Sequence, residues 1–277
     1  MTIKKVKAPV RIDFAGGTTD INVFAQKYGG AVLNAAIDKY VQGEIKSTHE
    51  KVGLNYSANI PTSSGLGTSG AMTLVWLALI EEEMGKRKLA EEVYEISRAR
   101  GLGNSDGKQD QYAAAFGGIN LWLFEGGKVK KRKVDVDKKT IKELENNLLI
   151  VYLGEHSAGT SNSKAIQNFR DGKNVREMKN LKQIALDMKK ALEKGDLDKF
   201  IELMNKETEN REKLARGIVP KEAKKVVEKG LKHAEAAKIL GAGSGGSVLF
   251  YGGKKKLKKE FRHTIDFKFD WEGLKRL

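Results

Sequence analysis

A loop of glycine and small hydroxyl residues runs directly into a strongly apolar helix, and this junction constrains the fold more than any other feature. The loop, Pro61–Gly70, reads PTSSGLGTSG, and a helix is predicted from Thr68 to Met84. Backbone N–H groups of such a loop can converge on one anion, to which the helix N-terminus adds its positive end. A phosphate group fits this description best. The alternative is an ordinary helix start capped by a hydroxyl residue, and GxxxxGK[ST] is absent from the chain.

A second glycine-rich segment, Gly241–Ser247, reads GAGSGGS and follows a helix predicted over residues 233–240. The strand SVLFY is predicted directly after it. A helix end with a tight turn would need only one or two of these glycines. The surplus favours a close approach of this backbone to a ligand or to another segment of the chain.

The N-terminal segment Ala8–Asp20, APVRIDFAGGTTD, combines glycine with charged residues. Arg11 and Asp13 are two residues apart and fall on the same face of a predicted strand, and Asp20 follows a glycine turn. The alternative interpretation is an exposed ion pair and a helix cap.

A fourth segment, Gly107–Gly118, reads GKQDQYAAAFGG. It places Asp110 in the first turn of a helix of small residues predicted over 109–116. A carboxylate in this position is a candidate catalytic group, although the helix dipole alone would also favour it there.

The order of predicted elements indicates an α+β fold. Strands dominate the first forty residues, and a hairpin is predicted to turn at Gly126-Gly127. The strand Leu148–Leu153 opens a second, mostly helical region from Asn162 through Lys238, and IDFKFDW near the C-terminus predicts a last strand. Strands and helices do not alternate regularly, which argues against a doubly wound sheet.

Composition narrows the classes of function. The chain has no cysteine, which excludes disulfides and thiolate metal sites, and its four histidines are scattered. The longest apolar run, Ala71–Ile80, is shorter than the roughly 20 residues that span a bilayer. We therefore expect a cytoplasmic protein without a membrane segment. The net charge of +15 is compatible with an anionic small molecule or with nucleic acid, but the basic runs lack the aromatic residues of a single-strand binding groove.

Taken together and in this order, the four segments resemble the GHMP kinase superfamily, which includes galactokinase, homoserine kinase, mevalonate kinase and phosphomevalonate kinase. Within it, RIDFAGGTTD, GGAVLNAAID and GKQDQYAAAFGG are most similar to the D-glycero-D-manno-heptose 7-phosphate kinases and related sugar kinases. The resemblance implies a two-domain fold. Residues 1–150 would form a domain like domain 2 of ribosomal protein S5, and residues 151–277 a ferredoxin-like domain.

The resemblance also implies roles for individual residues. Asp110 corresponds to the catalytic aspartate, and Arg11 to an arginine near the transferred phosphoryl group. Asp20 would hold sugar hydroxyls, together with Asp13, Gly17 and Thr19. ATP would bind through the glycine loop and the second glycine-rich segment, at Pro61, Ser63, Ser64, Gly65, Leu66, Gly67, Thr68, Ser69, Gly243 and Ser244. Ser69 would also be a ligand of Mg²⁺.

The sequence departs from the family pattern at two places. Many members carry a glutamate upstream of the catalytic aspartate that helps to hold Mg²⁺, whereas this chain reads Arg98-Ala99-Arg100 there. Either Glu95 replaces that glutamate, or Ser69 and the phosphates hold the metal alone. The sugar-kinase relatives also tend to have an arginine shortly after the strand at 148–153, which is absent here, so a phosphorylated sugar is not the only acceptor to expect.

Three functions follow from these observations. The first is an ATP- and Mg²⁺-dependent kinase of a sugar or sugar phosphate, acting as a monomer or homodimer. The second is a kinase of mevalonate or a related isoprenoid precursor. The third is a basic nucleic-acid-binding protein, which would leave the glycine loop and Asp110 without a role.

Overall fold

The secondary structure comes from a computed structural model that describes residues 1–61, 63–99, 107–154, 160–241 and 246–277. The described strands are β1 (Thr2–Ala15), β2 (Gly30–Ser47), β3 (Val52–Ala58), β4 (Ile119–Glu125), β5 (Lys128–Lys133), β6 (Leu148–Tyr152), β7 (Ala236–Ile239), β8 (Ser247–Tyr251), β9 (Thr264–Ile265) and β10 (Lys275–Arg276). The described helices are α1 (Asn22–Tyr28), α2 (Thr68–Ile80), α3 (Lys86–Ala99), α4 (Gln109–Phe116), α5 (Lys138–Asn147), α6 (Thr160–Arg170), α7 (Val175–Glu193), α8 (Leu197–Glu212), α9 (Lys221–Gly230) and α10 (Lys254–Glu260).

The strands form two antiparallel sheets. The larger sheet has the order β10-β1-β2-β4-β5, and β3 also pairs with β2. The smaller sheet has the order β7-β8-β6-β9. All pairings between the described strands are antiparallel, which confirms the α+β class. The C-terminal strand β10 returns to pair with β1, at Val6↔Arg276 and Lys7↔Lys275.

Strand β1 lies between β10 and β2 in the larger sheet and contains Arg11 and Asp13. Helices α2 and α4 pack against it, and α7 contacts both β1 and β2. Because helices and neighbouring strands cover it, every residue from Ala8 to Ala15 is buried, Arg11 and Asp13 included. Charged side chains in such a place need partners, so the fold itself predicts that these two residues are paired.

The core joins the two halves of the chain. Phe14 on β1 meets Phe200 on α8 with ring centres 5.4 Å apart, and Met188 on α7 belongs to the same buried cluster. A smaller cluster surrounds Phe24 and Phe250. The boundary near residue 150 stays a prediction. None of the helices in the described ranges is both long and apolar enough to cross a membrane.

Three secondary-structure predictions differ from the structure. The helix predicted from Thr68 to Met84 ends at Ile80. Residues 233–240 do not form a helix: they contain β7, whose residues are all buried and pair with β8. Alanine has the highest helix propensity, but tertiary context routinely overrides propensity, and here contact with α8 and pairing with β8 place these residues in a strand. The segment IDFKFDW contributes only Ile265 to a strand, and Phe269 forms an isolated bridge with Ile37.

Candidate active site

Arg11 on β1 links the glycine loop to the start of α4. Its Nη1 donates to the carbonyl oxygen of Gly65 at 2.6 Å, and its Nε and Nη2 lie 2.9 and 2.7 Å from Oδ1 of Asp110. Burial alone would lower the pKa of Arg11, but the charges of Asp110 and Asp13 outweigh it and raise the pKa. The guanidinium therefore stays charged. The Asp110 side chain is 32% exposed, so solvent or a substrate can reach its carboxylate.

The loop after Pro61 turns through three left-handed backbone positions before α2 begins. The φ angles of Ser63, Gly65 and Gly67 are 53°, 76° and 75°. Gly67 precedes the helix, and no side chain of the described residues caps its first turn. Within the part of the chain that the structure describes, no side chain therefore competes with an anion for the first N–H groups of α2.

The side chains of this loop divide into an inner and an outer set. Leu66 is fully buried, and its carbonyl oxygen accepts a hydrogen bond from β1 at 2.9 Å. Ser64 is also buried, with its hydroxyl 3.5 Å from that of Thr68. Ser63 and Ser69 are exposed. The inner side chains anchor the loop to the sheet, while the outer hydroxyls face solvent.

Asp110 packs directly against this loop. A Cβ atom at Gly67 would lie 3.1 Å from Cγ of Asp110, and one at Gly70 would lie 2.9 Å from its Cβ. Real Cβ atoms do not come this close without a shift of their neighbours, so Gly70 is required for α2 and α4 to approach as they do. The carboxylate and the uncapped start of α2 thus lie side by side.

Asp20 lies at the end of the turn after β1, against the start of α4. Its Oδ2 accepts a hydrogen bond from the N–H of Gln109 at 3.0 Å. Burial raises the pKa of Asp20 to about 6; the Gln109 N–H opposes this rise and the charge of Asp110 adds to it. A buried carboxyl that titrates near neutral pH beside a second carboxylate is typical of a functional site.

Three other residues that the resemblance assigns to the substrate are enclosed by protein. The Thr19 hydroxyl donates to the carbonyl oxygens of Gly16 and Ala31 and accepts from the N–H of Ala31. The carbonyl oxygen of Gly17 accepts from an arginine of α8, and Asp13 is fully buried. These contacts hold the turn of residues 16–20, and direct contact of the three residues with a substrate stays a prediction.

Sequence reasoning missed a buried charge cluster beneath this turn, formed by Asp13, Glu207, Arg211 and Lys238. Their four side chains have no exposed surface. Arg211 Nη2 lies 2.6 Å from Glu207, and Lys238 Nζ lies 3.2 Å from Glu207 and 3.1 Å from Asp13. Burial would raise the pKa of Asp13, but Lys238 and Arg11 lower it, so the carboxylate is ionised. The one signal in the sequence was a lysine inside the apolar stretch AAKIL.

The second glycine-rich segment joins β7 to β8 and packs against the glycine loop. A Cβ atom at Gly241 would lie 2.9 Å from the carbonyl oxygen of Gly65, and one at Gly246 would lie 2.9 Å from the same loop at a serine carbonyl. The expected close approach of two backbones is therefore confirmed at both ends of the segment. Gly243 and Ser244, which are predicted to bind ATP, lie outside the described residues.

Two family models match the chain and together cover more than half of it. The model described as GHMP kinases N terminal domain matches residues 22–118, which contain the glycine loop and Asp110. The model described as GHMP kinases C terminal matches residues 188–266, which contain Arg211 and the second glycine-rich segment. The chain belongs to the GHMP kinase family. It is therefore a phosphotransferase with the two-domain, mixed α/β fold of these kinases.

Relatives of this GHMP kinase include enzymes with different acceptors. The D-glycero-alpha-D-manno-heptose 7-phosphate kinase of Campylobacter jejuni is 28% identical, over 98% of this chain and 98% of its own length. The crystal structure of a D-glycero-D-manno-heptose 1-phosphate kinase from Bacteroides thetaiotaomicron has a TM-score of 0.78 at 23% identity, covering 100% of this chain and 99% of that one. The mevalonate kinase of Methanococcus jannaschii has a TM-score of 0.73 at 19% identity, covering 96% and 98%. The two structures show the shared fold alone.

The candidate metal ligands of this kinase lie in two places. Ser69 is in the first turn of α2, whereas Glu95 lines a cavity of about 550 Å³ between α3 and β5, together with Glu91, Tyr94 and Lys108. The Glu95 side chain is 55% exposed and lies 3.5 Å from Arg98 of its own helix. None of the described residues of the glycine loop lines this cavity. Within the described ranges, no three acidic or histidine side chains gather as a metal site.

Lys108 forms part of the wall between this cavity and Asp20. Its Nζ lies 4.4 Å from the centre of the Tyr94 ring. Burial lowers the pKa of Lys108, although the charges of Glu95, Glu91 and Asp20 oppose the shift. Burial and these neighbouring carboxylates thus act on the Lys108 ammonium group in opposite directions at the start of α4.

Proposed function

We propose that this GHMP kinase transfers the γ-phosphoryl group of ATP, bound with Mg²⁺, to a hydroxyl group of a sugar or sugar phosphate. The family assignment supports phosphoryl transfer. The name of the C. jejuni relative, which aligns over nearly the whole of both chains, supports a sugar phosphate as acceptor. A buried carboxylate such as Asp20 can accept hydrogen bonds from two sugar hydroxyls, which supports a polyhydroxylated ligand.

The observation that carries the proposal is the bridge made by Arg11. One guanidinium group contacts both the glycine loop, at the carbonyl oxygen of Gly65, and the exposed carboxylate of Asp110. A phosphate held by the loop and a hydroxyl held by Asp110 would therefore meet beside a fixed positive charge. Phosphoryl transfer depends mainly on such positioning and on charge neutralisation.

The glycine loop fits the phosphates of a nucleotide. It combines left-handed turns with the uncapped N-terminus of α2, where backbone N–H groups lack a side-chain partner among the described residues. The exposed hydroxyl of Ser69 in that first turn is a hard oxygen ligand of the kind that Mg²⁺ accepts. When bound, MgATP supplies the transferable phosphoryl group and neutralises part of its charge.

Asp110 and Asp20 have different roles toward the acceptor in this proposal. Asp110, which solvent can reach, orients the attacking hydroxyl and takes up its proton. Asp20 accepts hydrogen bonds from other hydroxyls of the acceptor and fixes their direction. Arg11 stays charged throughout because the carboxylates of Asp110, Asp13 and Asp20 raise its pKa, so it stabilises negative charge on the phosphoryl group during transfer.

A panel of acceptors tests the proposal. The purified protein is incubated with MgATP and, in turn, with free sugars, sugar phosphates including D-glycero-D-manno-heptose 7-phosphate, mevalonate and homoserine. Release of ADP is measured, and the phosphorylated product is identified by mass spectrometry. We expect the highest kcat/KM for a sugar or a singly phosphorylated sugar.

The control reaction contains MgATP without an acceptor and reports ATP hydrolysis alone. Turnover confined to mevalonate or its phosphates would reject the sugar and support the isoprenoid alternative. No acceptor-dependent ADP release by a folded sample that binds ATP would reject the proposed acceptors altogether.

A further inference from the structure

The buried cluster of Asp13, Glu207, Arg211 and Lys238 contains two positive and two negative side chains, none of which has exposed surface. It joins β1 to α8 and β7, and so connects the two halves of the chain. A buried ion cluster of this kind contributes little net stability, because desolvation offsets most of the attraction, and apolar residues often replace one without loss. Its geometry therefore suggests a role other than stability.

Arg211 extends from this cluster to the turn of residues 16–20. With Nε and Nη2 on Glu207, it donates from Nη1 to the hydroxyl of Thr18 at 3.3 Å and from Nη2 to the carbonyl oxygen of Gly17 at 3.2 Å. Thr18 has a φ of 81°, a left-handed conformation that a β-branched residue adopts only under constraint. The hydrogen bonds of the Arg211 guanidinium thus stabilise an unfavourable backbone conformation at Thr18.

The opposite end of the cluster reaches the second glycine-rich segment. Lys238 Nζ contacts Asp13, and the other carboxylate oxygen of Asp13 accepts the N–H of Gly241 at 3.1 Å. Gly241 packs against the carbonyl oxygen of Gly65 in the glycine loop. Among the described residues, Arg211 is the member of the cluster that donates hydrogen bonds to the turn that ends at Asp20. Asp13 lies beside Gly17 of that turn, but it accepts its backbone hydrogen bond from Gly241 in the second glycine-rich segment.

We propose that Arg211 is a positioning residue of the acceptor site. By holding Gly17 and Thr18, it fixes the turn that presents Asp20 to the acceptor hydroxyls, and it acts through that turn without touching the substrate. This inference rests on the proposed function only in taking Asp20 as an acceptor ligand. It requires that weakening the contact of Arg211 with the turn lowers affinity for the acceptor and leaves affinity for the nucleotide unchanged.

The first test removes the hydroxyl that Arg211 contacts. Thr18→Val keeps the size and branching of the side chain and leaves all four charges in place, while Thr18→Ser restores the hydroxyl. The acceptor is whichever compound of the panel gives the highest turnover, so the test does not depend on its being a sugar. We expect Thr18→Val to raise the KM of the acceptor about tenfold, the cost of one hydrogen bond to a charged group, with the dissociation constant of MgATP unchanged. Thr18→Ser should restore most of the loss.

A second variant changes Arg211 itself. Arg211→Lys keeps the positive charge beside Glu207 but loses the planar fork that reaches Glu207, Gly17 and Thr18 together. We expect a larger rise in the acceptor KM than for Thr18→Val. Arg216→Lys makes the same change at an exposed arginine that follows α8, and it should leave all kinetic constants unchanged.

Melting temperatures measured on the same samples separate positioning from folding. A lower melting temperature in Thr18→Val with an unchanged acceptor KM would overturn the inference, as would a KM rise that Thr18→Ser did not reverse. An equal loss of nucleotide affinity would also overturn it. The proposed function fails separately, when the wild-type protein turns over mevalonate and no sugar, and the positioning test then proceeds with mevalonate.

Discussion

Two charged side chains, Arg11 and Asp13, lie two residues apart on one face of β1, and their surroundings differ sharply. Arg11 pairs with Asp110, whose side chain is 32% exposed. Asp13 pairs with Lys238, and neither of these side chains has any exposed surface. Both pairs join β1 to another element, α4 in the first case and β7 in the second. Only the first pair leaves an oxygen that a substrate can reach.

The difference in exposure suits the two pairs to different roles: the exposed pair to catalysis and the enclosed pair to holding the structure. A carboxylate that must exchange a proton with a substrate needs access, and its charge is held in place by a neighbour that does not move. A fully enclosed pair can exchange nothing, but it has fixed directions and resists displacement because separating the charges would leave one of them buried alone. We therefore expect substitutions in the open pair to change the rate, and substitutions in the closed cluster to change folding or positioning.

The largest effect should come from Asp110→Asn, which keeps the shape of the side chain and removes its charge and basicity. Proton transfer by a positioned group typically contributes about 10²–10⁴-fold, so kcat should fall at least about 100-fold. The dissociation constant of MgATP should hardly change, because the phosphates meet the loop and α2. Steady-state kinetics and calorimetric titration with MgATP measure the two quantities.

Asp135→Asn is the matched control, since Asp135 is an exposed aspartate paired with Lys133, and its kinetics should equal those of the wild type. If Asp110 only supports the fold, Asn would lower the stability, because Arg11 is buried and would lose its charged partner, but the turnover per folded molecule would be preserved. A variant that melts lower but turns over at the normal rate would remove Asp110 from the mechanism.

The closed pair should respond in stability instead. Lys238→Met has nearly the same length and leaves Asp13 and Glu207 without their shared cation. Removing one partner of a buried ion pair costs about 3–5 kcal/mol, so thermal or chemical denaturation should show a loss of this size. Lys232→Met, at an exposed lysine just upstream, should change neither midpoint. Equal midpoints for the two variants would mean that the cluster relaxes around the change, and the contrast between the open and closed pairs would be lost.

Both residues of the open pair were candidate site residues in the sequence, but their pairing was not predicted, and the closed cluster was missed. Arg11 and Asp110 lie in glycine-rich segments that each had an ordinary structural explanation alone, and only the order of the four segments resembled a kinase family. Glu207 and Arg211 have the i,i+4 spacing of a common exposed pair on a helix. Lys238 follows two alanines in a segment that favours a helix. Only the pairing of β7 with β8 turns Lys238 toward Asp13, and such a contact between distant segments leaves no local pattern.

Asp20 lies between the two extremes, because it is buried but titrates near neutral pH. Its pKa in the folded protein is raised to about 6, so its contribution to stability is fully present below pH 3.8 and is lost as the pH rises through 6. Asp20→Asn should therefore stabilise the protein at pH 8, by about 3 kcal/mol, and by about half as much at pH 5. Melting curves at both pH values measure this difference.

The same variant should weaken binding of the acceptor, because the amide offers one oxygen where the carboxylate offers two. In the wild type, the acceptor KM should rise as the pH falls through about 6, since protonation removes the negative charge. If Asp20→Asn stabilised the protein no more at pH 8 than at pH 5, the pKa of Asp20 would not be raised by burial, and the prediction would be wrong.

A smaller effect is expected at Ser69, the proposed ligand of Mg²⁺. Ser69→Ala should raise the Mg²⁺ concentration for half-maximal rate several-fold, because it removes one oxygen ligand while the phosphates and water retain the others. Ser69→Thr keeps the hydroxyl and should stay close to the wild type. An unchanged Mg²⁺ dependence in Ser69→Ala would show that this hydroxyl does not bind the metal.

The smallest effect should come from Glu95→Gln, which tests whether this glutamate replaces the metal ligand that many family members carry. Glu95 is more than half exposed, lies beside Arg98, and lines a cavity that the glycine loop, as far as the structure describes it, does not line. Glu95 is therefore not expected to coordinate a metal that Ser69 holds, and the Mg²⁺ concentration for half-maximal rate should stay unchanged in Glu95→Gln.

The matched control is Glu92→Gln, because Glu92 lines the same cavity and pairs with Lys88 at 2.6 Å. A several-fold rise in Glu95→Gln alone, comparable to that of Ser69→Ala, would mean that α3 moves toward the phosphates when MgATP binds, and that Glu95 then belongs to the open site.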